Sequence, residues 1–361
     1  MYRRGLVFAA ALMLLAACGN AAEGDSIVIG GSGVTLGPVE PIAESEPEPT
    51  PTDVTLAFAG DVLFEHAVRE RLEGDPSSTL DVIADTLSAA DVTIVNLETA
   101  ITERGAPEPK AWTFRVGPEA LDALAAAGVD VVSMANNHGV DYGADGLADS
   151  LAAAGTAPLE VIGIGEDDAA AFAPALIDVR GTTIAVLGAT DVPDHTATTW
   201  PAGPDRAGVA SARNPERLVE AVAAASAEAD VVVVYMHWGQ ERVNCPIPEQ
   251  SELARQLADA GADVIVGSHA HVLLGAGWLD SAYVSYGLGN FVWYHPNSDA
   301  EATAGVLSLT VRDGQVVADE FTPTFTEQDG RPRVVEGDAA EAAIADWEGL
   351  RDCTGLSRAG A

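Results

Sequence analysis

Positive charge is what this chain most lacks. Of its 361 residues only 18 are Lys or Arg, against 55 Asp or Glu, giving a formal net charge of −37. Its one lysine is Lys110. A phosphate backbone needs clustered cations and this field repels polyanions, so nucleic acid is excluded as a partner class. An anionic substrate would need local help, such as bound metal ions. Cysteine is equally scarce: Cys18, Cys245 and Cys353 form no Cys-x-x-Cys pair, which removes thiolate zinc knuckles and dithiol redox motifs. Gly163-x-Gly165 has neither the third glycine nor the following helix of a dinucleotide fingerprint. The Gly-x-Ser-x-Gly elbow of a serine hydrolase is absent, as is any repeat of fixed period. What remains is 48% apolar with 36 glycines, too hydrophobic and too regularly patterned for a disordered acidic polymer.

The N-terminus bears on the compartment. Arg3 and Arg4 precede an apolar run over 6–17, the length of a signal-peptide core and short of the ~20 residues that span a bilayer. It ends in Leu15-Ala16-Ala17-Cys18-Gly19, which resembles a bacterial lipobox. That resemblance implies a lipoprotein signal peptide over 1–17, a lipidated Cys18, and an extracytoplasmic protein anchored to the cell membrane. Residues 19–52 hold six acidic residues, no basic ones, five prolines and six glycines, and read as a tether. Outside the cytoplasm Cys245 and Cys353 can pair, tying a C-terminal extension over 331–361 to a domain over 53–330.

Within that domain short β-branched runs alternate with Ala- and Leu-rich stretches, the mark of an α/β fold with buried strands. Strands are expected at 54–59, 92–95, 129–134, 161–163, 183–188, 231–236, 263–266 and 283–285. Helices are expected at 78–89, 118–127, 145–154, 215–228 and 248–260, several entered through Pro and left at Gly. Edge hairpins are expected from 176–179 into 183–187 around Gly181, and from 307–311 into 316–317 around Asp313-Gly314.

Polar clusters follow the strands: Gly60-Asp61, Asn96-Leu97-Glu98, Asn136-Asn137-His138, His237-Trp238-Gly239 and Gly267-Ser268-His269-Ala270-His271. Ligands of open α/β sheets bind beyond the carboxyl ends of strands, so five such clusters can converge on one crevice. Asp, Glu, Asn and imidazole without thiolate suit Mn²⁺, Fe²⁺ or Zn²⁺, and a bridging carboxylate suits a pair about 3.5–4 Å apart. His269 and His271 stand two apart, and residues i and i+2 of a strand share a face, so adjacent ions could take one each.

These clusters, with Asp141-Tyr142-Gly143 after His138 and with Tyr286-Gly287-Leu288-Gly289-Asn290-Phe291, resemble the CapA family, named for poly-γ-glutamate capsule synthesis. The resemblance runs in order from about Val54 to Val311. It implies a metallophosphatase-like (calcineurin-like) α/β/β/α sandwich with mixed sheets and one or two divalent ions (Mn, Fe or Zn). By the same resemblance Asp61 and His271 hold one ion, Asn137, His237 and His269 the second, and Glu98 bridges them. His138 becomes the acid near the leaving group, oriented by Asp141.

The sequence departs from the phosphatase pattern in two places. Leu63 stands where an Asp-x-His imidazole is expected, and Glu98 replaces the usual bridging Asp. His66, five residues past Asp61, is either a substitute donor or a surface helix residue. Gly287 and Gly289 fit a crevice rim approaching an anion, or a tight turn. His195 and His295 read as loop residues, and Trp200, Trp238 and Trp293 as an aromatic wall or as core. The resemblance implies a metal-dependent hydrolase of phosphoester or amide bonds linked to synthesis, export or processing of an anionic capsule polymer. The alternative is a non-catalytic membrane-tethered accessory that binds polymer or a partner membrane complex; a nucleotidase-like scavenger differs from the first only in substrate.

Overall fold

The computed structural model describes residues 53–294 and 296–360. The leader and tether read from the sequence, with Cys18 and His295, lie outside the described residues. Residues 50–361 form a compact unit, described here by itself.

Period-two burial builds two sheets. In the strand Val54–Val62, Leu56 and Phe58 face one way and Ala57 and Ala59 the other, all fully buried. Val233 and Tyr235 alternate with Val232 and Val234 in Val231–His237 in the same manner. Strands buried on both faces read as continuous β-branched runs, and they lie here at the centre of mixed sheets.

The first sheet has eight strands, in the order Pro332–Val334, Gln315–Thr326, Thr303–Arg312, Val54–Val62, Val92–Leu97, Val131–Ser133 and Glu160–Ile162, with Asn290–Val292 pairing parallel to the end of Val54–Val62. The second has six, ordered Ala276–Leu279, Ala282–Ser285, Val264–Ser268, Val231–His237, Thr182–Thr190 and Ala175–Val179. Both are parallel at the centre and antiparallel toward one or both edges.

One shared core lies between the sheets and contains Phe58, Ile94, Val186, Val233, Tyr235 and Leu307. The outer face of the first sheet is covered by His66–Gly74, Glu119–Ala126 and Gly143–Ala154 through Leu72, Leu124 and Leu147. Glu216–Ser226 and Pro248–Asp259 cover the second through Val222 and Leu257. The layers are thus α/β/β/α. Each buried Val or Leu contributes about 1.5–3 kcal/mol, which is why the central strand Val231–His237 carries no charged or amide side chain before its end.

The expected hairpins both form, the first around Gly181 at φ 87° and the second around Gly314 at φ 77°. Only the first is an edge pair; beyond the second lies the short strand Pro332–Val334. The helix expected over 78–89 does not form. A 3-10 turn occupies Pro76–Ser78 and one short helix Ala84–Leu87. The Ser78 and Thr79 hydroxyls donate to the Asp75 carbonyl, the local competition that keeps such residues out of helix interiors. Leu80, Ile83 and Leu87 are buried regardless.

The C-terminal segment adds the helix Asp338–Gly349, whose Trp347 stacks on Phe321 with ring centroids 4.3 Å apart. Cys245 and Cys353 are joined by a disulfide, their Cα atoms 5.8 Å apart.

Candidate metal centre

Local backbone irregularity aims the donors. The pairing of Val54–Val62 with its neighbours shifts register at Asp61, a bulge that turns the carboxylate off the strand's regular alternation. Gly60 makes this possible: a Cβ there would sit 1.9 Å from the Gly289 carbonyl oxygen, which accepts from the Asp61 N–H at 2.9 Å. Gly289 therefore backs onto the first strand rather than approaching an anion. Tyr286 and Leu288 are core residues, so the expected rim is reduced to Asn290.

The strand Val264–Ser268 stops before the two histidines. His269 and His271 have φ of 91° and 58°, so shared strand faces do not orient them; two left-handed residues do. Their rings lie 5.7 Å apart, and the His237 ring is 4.8 Å from that of His269.

Around Asp61 the donors close in. The His271 Nδ1 is 3.3 Å from its Oδ2, and the His237 Nδ1 is 3.8 Å from its Oδ1. Glu98 Oε1 lies 3.5 Å from His237 Nε2 and 3.9 Å from His138 Nε2. Asn137 Oδ1 is 2.7 Å from the same His237 Nε2. Two triads, Asp61–Glu98–His237 and Glu98–His269–His271, each bring one atom per residue within 4.8 Å of the others. Glu98 belongs to both. All six expected donors thus reach one crevice, with Asp61 meeting His271 at 3.3 Å and Asn137 meeting His237 at 2.7 Å.

Electrostatics separates the donors sharply. Burial, reinforced by the Asp61 charge, pushes the Glu98 carboxyl up to about 8. Burial would also raise Asp61, but the His271 hydrogen bond and charge, aided by His237 and Asn96, hold it at about 2. Burial drives His237 down to about 3 despite Asp61, and drives His269 well below the ordinary imidazole range. His271 goes the other way: Glu98 and Asp61 overcome its burial and lift it to about 9. Two imidazoles are therefore neutral, and a proton on His271 balances the Asp61 carboxylate.

The residues fit a divalent cation on an independent ground. Among the described residues neither fully buried oxygen of Glu98 has a hydrogen-bond partner, and the buried His269 Nδ1 has none either. Orphaned acceptors of this kind are costly unless something else satisfies them. A hard-to-borderline cation at this set of carboxylate, amide and imidazole donors would do so.

Outer residues hold the donors in place. Asn96 donates to Asp61 at 2.8 Å, and Asn136 donates to Asn96 Oδ1 at 3.0 Å and to the Leu97 carbonyl at 2.8 Å. Ser268 meets His237 Nδ1 at 2.9 Å, and Asn290 meets His271 Nδ1 at 2.8 Å. His138 Nδ1 is 2.6 Å from Asp141 Oδ2, which leaves Nε2 facing Glu98. Asp141 also accepts from the Phe114 N–H at 2.7 Å and pairs with Lys110 at 2.8 Å. The same Lys110 ammonium donates to the Asn137 carbonyl.

Lys110, Asn96, Asn136 and Asn290 had no assigned role at the level of sequence. The signal for Lys110 was present: it is the single lysine of the chain, and it is 11% exposed. His66 is not brought to Asp61. It is exposed, begins the helix His66–Gly74 and stacks on Tyr294 at 4.7 Å, while Leu63 is fully buried core. His195 is not a loop residue but begins the short helix His195–Thr199, and it pairs with Glu108 at 2.6 Å. Of the three tryptophans, Trp238 is core on the outer side of the second sheet, Trp200 packs half-buried against the separate cluster outside the first sheet, and Trp293 meets the His271 ring at 4.6 Å.

Residues 55–295 match the family model described as bacterial capsule synthesis protein PGA_cap. Over 244 residues the chain is 33% identical to the PGA biosynthesis protein CapA of Bacillus subtilis, covering 66% of this chain and 63% of that protein. It is 35% identical over 216 residues to the capsule biosynthesis protein CapA of Bacillus anthracis, covering 54% and 51%. A probable polyglutamine synthesis accessory protein of Mycobacterium tuberculosis is 33% identical over 196 residues, covering 51% and 50%. The chain thus spans between 50% and 63% of the length of these relatives. Among solved structures, a phosphatase of Mycoplasma pneumoniae aligns with a TM-score of 0.48 at 15% identity, covering 76% of this chain and 94% of that one.

Proposed function

The chain belongs to the bacterial capsule synthesis family PGA_cap, and from that premise we propose that it is a metal-dependent hydrolase that processes an anionic capsule polymer such as poly-γ-glutamate. We further propose that it works at the cell surface, anchored through Cys18. Among the described residues no helix is long and apolar enough to cross a membrane, and a lipid anchor needs none.

The observation that carries the reading is Glu98: a fully buried carboxylate at the junction of two donor triads, with neither oxygen hydrogen-bonded. Asp61, Glu98, Asn137, His237, His269 and His271 would hold the ion or ions. When bound, such ions lower the pKa of water and neutralise charge developing on a phosphoryl or carbonyl oxygen.

The chain's own groups supply the rest. Asp141 accepts from His138 Nδ1–H and would balance the charge of the imidazolium, the form in which Nε2 carries a proton toward a leaving group. Lys110 balances the Asp141 charge and braces Asn137 through its carbonyl. Phe114 packs on the His138 ring at 4.6 Å and narrows water's access to it.

The test is turnover by the metal-reconstituted protein on a panel of phosphoesters and glutamyl amides. Activity that disappears in His138→Ala while metal content persists supports the reading; no turnover on any substrate overturns it. The second reading, a non-catalytic accessory that binds polymer or a membrane complex, is favoured by Leu63, which leaves no imidazole at that position. On that reading polymer binding survives His138→Ala and no substrate turns over.

A further inference from the structure

A vestibule of about 260 Å³ opens beside the donor cluster. Trp112 and Phe114 line one side with His138, and Trp293 and Tyr294 another with His271. The third side is polar and carries Arg242, Glu241 and Glu301.

Arg242 is held there at some cost. Its φ of 61° is left-handed, a conformation that a non-glycine residue keeps only when its surroundings enforce it. Its N–H donates to the Ala270 carbonyl at 2.7 Å, which ties it to the loop carrying His269 and His271. Its Nε donates to Glu301, a carboxylate only 4% exposed that also accepts from the Asn297 N–H at 2.7 Å and side chain at 2.9 Å. The Glu301 carbonyl accepts from Asn290, whose other amide atom meets His271. The guanidinium is therefore fixed by one edge, and among the described residues its two terminal nitrogens find no partner.

We propose that Arg242 anchors a substrate carboxylate at the mouth of this vestibule, where its side chain is 63% exposed and its free edge can meet an entering group. The inference rests on the hydrolase reading above and names the substrate's recognition group. A fixed guanidinium fork matches a carboxylate bidentately. One fork, with Glu301 on its back and Glu241 beside it, suits a monoanion better than a phosphate dianion, which would face two carboxylates with a single cation. The neighbouring groove of about 1030 Å³ shares Tyr294 and Asn297 and is lined by Asp299, Glu327 and Asp329, of which Glu327 pairs with Arg333 and Asp329 with Arg331 and Arg333.

Calorimetric binding to the full-length, manganese-loaded protein tests this. The probes are a γ-linked glutamate tetramer, its carboxamide counterpart and inorganic phosphate. The wild type is expected to prefer the carboxylate tetramer by about 10- to 100-fold, the range for a hydrogen-bonded ionic contact. Arg242→Gln should erase that preference while metal content and phosphate affinity stay unchanged. Arg242→Lys, which keeps the charge and side-chain length in the left-handed backbone, should lose most of it; this variant decides the matter where Arg242→Gln misfolds. A preference retained in either folded variant, or absent from the wild type, overturns the proposal. Failure of the wild type to bind manganese instead overturns the metal reading beneath it, so the two failures are distinguishable.

Discussion

Replacing Glu98 by Gln isolates the conflict between stability and function at the site. The change preserves shape and removes only the charge. In metal-free protein Glu98 titrates near 8 instead of its ordinary 4.5, because burial and Asp61 disfavour the anion. The sign follows directly: a carboxyl whose folded pKa is raised costs nothing below its unfolded pKa, and its cost grows as pH rises toward the folded value. At pH 7 that cost is on the order of 3 kcal/mol, rising to a plateau above about pH 8. Glu98→Gln should therefore be more stable than wild type in EDTA, by little near pH 4 and by up to ~3 kcal/mol at neutrality.

Excess metal should reverse the order. A cation that binds only the folded state stabilises it by about 4.1 kcal/mol at a thousandfold excess over its Kd, more than the ~3 kcal/mol deficit at neutrality. The wild type should gain this, whereas the variant, lacking the carboxylate common to both triads, should gain little. Urea denaturation with EDTA and with Mn²⁺, repeated across pH, measures all four terms. A variant no more stable than wild type in EDTA at neutral pH refutes the buried-charge argument. Equal stabilisation of both proteins by metal refutes the role given to Glu98.

The sheets and the donor set were legible because both rest on short-range rules. Buried β-branched runs such as 231–236 have no other stable placement than a central strand, and polar residues directly after them must leave the core. The rest depended on tertiary context. The helix expected at 78–89 failed because Ser78 and Thr79 bond back to Asp75, and apolar spacing cannot report that competition. Lys110 reaches the site from a loop with no hydrophobic period, and Asn290 opens the three-residue strand Asn290–Val292, so their partners could not be inferred from spacing. His269 and His271 were found by type and place, but their orientation comes from positive φ values in a turn that strand geometry does not describe.

Three further outcomes follow from particular contacts. Asp91 is held at about 2 by the Arg180 hydrogen bond, with Thr55 assisting, and this pair joins the turn of the 175–190 hairpin to the loop before the strand Val92–Leu97. Because its folded pKa is depressed, its contribution is full above about pH 4 and is lost as pH falls toward 2; with Arg180 half exposed, Asp91→Asn should cost about 1 kcal/mol at pH 7 and nothing near pH 2 by acid titration of stability. Lys110→Met leaves Asp141, which is 0% exposed, without its cation, and should destabilise by about 3–5 kcal/mol in urea; a loss under 1 kcal/mol would show the pair to be dispensable. Gly60→Ala tests whether the close approach of two backbones sets the position of Asp61. The added methyl would stand 1.9 Å from the Gly289 oxygen and 2.9 Å from its carbonyl carbon, and neither atom belongs to a side chain that can swing away. Relief requires Asn290–Val292 to separate from the first strand, which breaks the bond from the Asp61 N–H to Gly289 and carries Asn290 away from His271. Overpacking plus the lost bond gives about 3 kcal/mol, and metal affinity should fall at least about tenfold because two outer supports move together. Unchanged manganese affinity in a folded Gly60→Ala protein would mean that the bulge, and not this contact, aims the carboxylate.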